Sequence, residues 1–84
     1  MTQLEILELA KNALINKIME VSNKIIKGHN IINESTNFNE ISRLRQTVKV
    51  LCKKEYELKN KLEEIDNLLF DEYAKETDPT FWRV

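Results

Sequence analysis

Residues 41–69 read ISRLRQTVKVLCKKEYELKNKLEEIDNLL. Within this stretch Ile41, Leu44, Val48, Leu51, Leu58, Leu62, Ile65 and Leu69 recur at steps of three, four or a full heptad. A half-buried strand would alternate at every second residue, whereas this period lines one stripe of a helix. Sustained over several heptads, it is the seam along which one helix packs on another. Leu4, Leu7, Leu14, Ile18, Val21, Ile25 and Ile32 repeat the period upstream. Between the stripes lies Asn33-Glu34-Ser35-Thr36-Asn37, whose side chains compete with helical hydrogen bonding. The fold class is all-α: an antiparallel, coiled-coil-like two-helix hairpin.

Capping residues set its limits. Thr2 with Glu5, and Asn37 with Glu40, have the spacing of capping boxes. Gly28 and Pro79 are the only glycine and proline. Gly28 can end the first helix in a left-handed conformation, or the helix passes through it at a cost of about 1 kcal/mol. Ile32 keeps the period, which favours continuation. The spacing predicts helix 1 over about 2–32, a turn at 33–37, helix 2 over about 38–76 and a separate tail at 77–84.

Eighty-four residues make one domain, near the lower limit for a self-sufficient core. No apolar run approaches the roughly 18 residues that span a bilayer, and no basic n-region opens the chain, so no membrane partner is expected. One cysteine, Cys52, excludes an internal disulfide and fits a cytoplasmic setting. Abundant Asn, Ile and Lys suggest a low-GC microbial or phage genome. The net charge of −1 gives no overall pull toward nucleic acid, yet the charge is polarised. Residues 1–54 carry a net +4 and residues 55–84 a net −5. Folded as a hairpin, the rod has a basic loop end and an acidic open end.

Centring the turn near Ser35 sets residue i of helix 1 opposite roughly residue 70 − i of helix 2, so that Leu4 faces Ile65 and Ile25 faces Leu44. Lys11 and Glu55 interrupt the apolar seam within about one helical turn of each other. They are expected to pair and to fix the register at some cost in stability.

A two-helix rod cannot hide all of its apolar side chains. Ile15, Met19 and Ile26 flank the seam of helix 1, and Ile41, Cys52 and Phe70, with Tyr56 farther round, flank that of helix 2. In an antiparallel pair these flanks share one side, forming an apolar strip of the kind that marks association. A second copy is the expected partner, giving a dimeric four-helix bundle.

Catalytic chemistry has little to work with. On that register His29 and Cys52 stand about 16 Å apart along the rod, too far for a nucleophilic dyad. No phosphate loop, zinc spacing or nucleophile elbow occurs, and no cofactor is expected. Glu5, Glu8, Glu63 and Asp66 form two i, i+3 acidic pairs that the register sets side by side, a weak candidate for Mg²⁺. The two pairs resemble the acidic motifs of the all-α nucleotide pyrophosphohydrolases, which implies metal-dependent phosphohydrolysis. There the motifs lie close in sequence, whereas here nearly the whole chain separates them.

Arg43, Arg45, Lys49, Lys53 and Lys54 cluster near the loop end, as phosphate contacts require. Phe38 is the only aromatic among them, so a solvated face is the simpler reading. Pro79 must stop helix 2, and beyond it Phe81 and Trp82 are expected to cover the open end. Their alternative role is to anchor a protein partner. Together these features point to a non-enzymatic protein–protein interaction module: an adaptor, regulator or inhibitor with a homodimeric state and an unidentified protein partner. A nucleic-acid-binding accessory protein is the first rival, and a Mg²⁺-dependent phosphohydrolase the second.

Overall fold

The computed structural model describes residues 2–76, and within them the chain is an all-α helical hairpin. Helix α1 spans Gln3–Glu34 and helix α2 spans Phe38–Glu76, with no strand among the described residues. The Glu5 backbone N–H donates to Thr2 Oγ1 at 3.2 Å, satisfying one of the amides that a helix start leaves open. The chain passes through Gly28 without a break. At the turn the Ser35 N–H donates to the Ile31 carbonyl at 2.9 Å. Asn37 Oδ1 then accepts from the N–H groups of Asn39 and Glu40, at 3.0 and 3.2 Å, and starts α2. Glu40 does not complete a box with Asn37; its carboxylate accepts from Ser35 Oγ at 3.5 Å. The expected capping of the open end by Phe81 and Trp82 lies outside the described residues.

Every inward position follows an unbroken three–four alternation. In α1 it runs from Leu4 through Leu7, Lys11, Leu14, Ile18, Val21, Ile25 and Gly28 to Ile32; in α2 it runs from Ile41 to Glu72. Leu7, Val21, Val48, Leu58 and Leu69 are buried, and the other apolar seam residues are half-buried. Gly28 faces Val48 so closely that a Cβ added to it would lie 2.7 Å from Val48 Cγ2. Residue i of α1 therefore lies level with residue 76 − i of α2, and the Ser22–Glu55 and Lys11–Asp66 bonds agree to within about a residue's rise.

This register corrects the sequence expectation by about one heptad, a slide of roughly 10 Å. Each heptad resembles the next, so the apolar pattern accepts either alignment; the turn decides. Ser35 is extended, with φ −82° and ψ 141°. Extended residues climb about 3.3 Å each, against 1.5 Å in a helix. The short connection thus carries the chain roughly 6 Å past the end of α1 before α2 begins.

The slide also separates Lys11 from Glu55, which do not pair. Lys11 Nζ instead reaches Asp66 Oδ1 at 2.8 Å. Glu55 accepts from Ser22 Oγ and from Lys59 Nζ, the latter at 3.3 Å.

The rod measures 66 × 26 × 15 Å. It exposes 6963 Å², about a third more than the roughly 5,200 Å² of a compact monomer of its mass. No side chain is fully buried among the described residues. Among them, too, no helix is long and apolar enough to cross a membrane.

Candidate functional site

The seam divides the rod into two broad faces, and the bonds that cross it mark one of them. Ser22 and Lys59 both hold Glu55 there; Lys11 meets Asp66; Tyr73 donates its hydroxyl to Glu8 Oε1 at 2.7 Å. Residues one and five places beyond a seam position share this side, because each helix turns about 100° per residue. Ile15, Met19 and Ile26 of α1 lie on it, with Cys52, Tyr56 and Phe70 of α2.

The register spaces them along the rod. Tyr56 is level with position 20 of α1 and Cys52 with position 24, so five of the six fall within about 16 Å of rod length around its middle. Ile15 is half-buried, whereas Met19, Ile26 and Tyr56 are 58%, 57% and 67% exposed. Phe70 is level with position 6 and stands apart, beyond the Lys11–Asp66 ion pair. The expected continuous strip is therefore a central patch with a separate aromatic site at the open end.

The opposite face has no such centre. Lys17, Glu20, Lys24, Lys54, Glu57 and Lys61 occupy its middle and all are exposed, with Val50 as its one exposed large apolar residue there. Mixed charge of this kind stays solvated at no cost.

Glu55 sits at the heart of the apolar patch. The Ser22 hydroxyl, and after it the Lys59 ammonium, hold its carboxyl below the ordinary glutamate range against a smaller opposing effect of burial. A charged group in the seam is thus kept charged by partners rather than neutralised.

Two clefts bracket the patch on the same face. Toward the open end, Glu8, Lys11, Asn12, Asp66, Phe70 and Tyr73 line a recess of about 450 Å³ over Leu69, with Lys11 paired to Asp66. Toward the loop, His29, Asn33, Arg45 and Lys49 line one of about 420 Å³ over Ile32 and Val48. One cleft is acidic and aromatic, the other basic.

Other sequence candidates are dispersed. Of the five basic residues only Arg45 and Lys49 share this face; Lys53 lies on the outer edge, and Arg43 and Lys54 belong to the opposite side. Glu5, Glu8, Glu63 and Asp66 are not brought together: the heptad slide staggers the pairs, Asp66 is engaged by Lys11 and Glu8 by Tyr73. Among the described residues no group of three or more His, Cys, Asp or Glu side chains is placed to hold a metal ion. His29 and Cys52 lie on one face, and the slide brings them to about 7 Å apart along the rod, nearer than expected. Neither hydrogen-bonds the other among the described residues.

The apolar period by itself does not point to Ser22, to Asp66 as the partner of Lys11, or to Tyr73. Each lies one heptad place outside the apolar seam, and that offset was the available signal. No protein-family model matches the chain, and no curated protein or solved structure matches it.

Proposed function

We propose that this chain is a non-enzymatic protein–protein interaction module, an adaptor, regulator or inhibitor that engages helical surfaces through its central apolar patch. The observation that carries this reading is the exposure of Met19, Ile26 and Tyr56 together at mid-rod on one face, opposite a face whose middle is charged apart from Val50. Exposed apolar side chains gathered on a thin rod lower their free energy by meeting another surface. The patch carries Ile15 and Cys52 as well, and the rod offers rigid, preformed helices on which to display it.

The test is Met19→Glu with Tyr56→Glu in the full chain. Both side chains point outward, so circular dichroism should show the helices retained. The wild type should associate, with itself in sedimentation velocity or with a protein recovered by affinity purification from its source cells. The double variant should lose that association. An unchanged set of complexes would refute the reading.

A further inference from the structure

We propose that the partner of this face is a second copy of the chain, docked face to face and antiparallel, so that the acidic cleft of each copy meets the basic cleft of the other. The inference rests on the interaction reading above and adds the identity and orientation of the partner.

Three observations point to it. The first is position. The acidic cleft centres near position 8 of α1 and the basic cleft near position 30, about 33 Å apart. Their midpoint falls at Met19, with Tyr56 level beside it. A two-fold axis crossing the rod there would stack apolar patch on apolar patch and exchange the clefts. An isologous contact needs this self-complementarity: what lies a given distance on one side of the axis must suit what lies equally far on the other.

The second is charge. With the axis across the rods, α2 runs over α2 of the other copy. Glu63 then comes level with the second copy's Lys49 to within about two residues' rise, and Asp66, already paired with Lys11, with its Arg45 to within about three. Phe70, 73% exposed, approaches that same guanidinium, which favours an aromatic face. On α1, Glu8 comes level with the region of His29. A parallel docking, with the axis along the rods, would instead lay α1 over α2 of the other copy and set Asp66 within about two residues' rise of the second copy's Glu8, with Arg45 and Lys49 beside its His29 and Ile26. Like charges across an interface disfavour that arrangement.

The third is area. The face between the cleft centres, about 33 Å long on a rod 26 Å wide, presents on the order of 800 Å², what each side of a stable interface commonly buries. The opposite face has charge where this one has Met19 and Tyr56, and its exposed apolar residues Ile6, Ile31, Val50 and Leu68 lie away from its centre.

The experiment uses Glu63→Lys and Lys49→Glu, both exposed and each just beyond one end of the apolar patch. Each single variant places two like-charge pairs in the antiparallel dimer and should weaken it about tenfold by sedimentation equilibrium at low salt. E63K/K49E in one chain should restore the wild-type dimer, and so should an equimolar mixture of the two single variants. In a parallel dimer Lys49 and Glu63 lie over α1 of the other copy, nearest Ile26 and Asn12 rather than each other, so single variants as tight as wild type would overturn the antiparallel orientation. A wild type that stays monomeric at high micromolar concentration would overturn the second copy itself. In that case the interaction reading stands only if the Met19→Glu, Tyr56→Glu variant still loses a protein captured by the wild type. Helicity measured alongside excludes unfolding as the cause of any loss.

Discussion

Gly28 is the position where a single methyl group most directly tests the packing. A Cβ there would lie 2.7 Å from Val48 Cγ2, whereas carbon atoms rest about 3.5 to 4.0 Å apart. Val48 cannot easily turn away, because it is buried and its β-branched side chain has one strongly preferred rotamer in a helix. Gly28→Ala must therefore spread the helices or force Val48 off its rotamer, at about 1 to 3 kcal/mol. Replacing glycine by alanine inside a helix returns about 1 kcal/mol. The net expectation is a loss of about 1 kcal/mol. Val48→Ala removes the obstructing methyls, and in that background Gly28→Ala should instead stabilise by about 1 kcal/mol. The sign of one substitution thus reverses with its neighbour, a coupling of about 2 kcal/mol in a double-mutant cycle. Urea unfolding followed by far-UV circular dichroism measures it, at one protein concentration throughout because association adds to apparent stability. An equal gain from Gly28→Ala in both backgrounds would mean that the helices do not approach closely at Gly28, and the register argument would fail with it.

Lys11→Leu should stabilise the hairpin by about 1 to 2 kcal/mol: the exposed pair with Asp66 contributes at most about 1 kcal/mol, and a seam leucine buries more; a lower urea midpoint would contradict this. Ser22→Ala should raise the Glu55 pKa toward the ordinary glutamate value, seen by NMR titration. Because that pKa is lowered in the folded state, Glu55 adds stability above the ordinary range and loses it as pH falls through the lowered value. The variant should accordingly begin to unfold at higher pH than wild type on acid titration, and coincident curves would deny Ser22 its role. Asn37→Ala removes the acceptor for two amides at the start of α2 and should cost about 1 kcal/mol, whereas Asn37→Ser should recover most of it in the same thermal melts.

The helices were legible because Leu4 to Ile32 and Ile41 to Leu69 carry a period that only a helix seam satisfies. Their alignment was not, since a strict seven-residue repeat looks the same after sliding by seven. The turn chose between alignments through backbone angles at Ser35, which side-chain chemistry does not encode strongly. This explains which site features could be read in advance. Met19, Tyr56 and Cys52 were assigned to the right face because facing depends on rotation about each helix alone. The partners of Lys11 and Glu55, the stagger of the acidic pairs and the separation of Phe70 from the patch all depend on height along the rod. Those inherited the one-heptad error together.

The unequal spans closed by the seam give the hairpin a direction in time. Ile32 and Leu44, beside the turn, are twelve residues apart, whereas Leu7 and Leu69 are 62 apart. Joining the distant pair first would cost about 1.5 kcal/mol more in loop-closure entropy than joining the near one. Folding therefore starts beside Ser35 and proceeds like a zipper, each closed layer leaving only another heptad to bring in. Breathing runs the other way: the acidic end, last to join, opens most often, and the amides around Leu7 and Leu69 exchange with solvent before those around Gly28 and Val48.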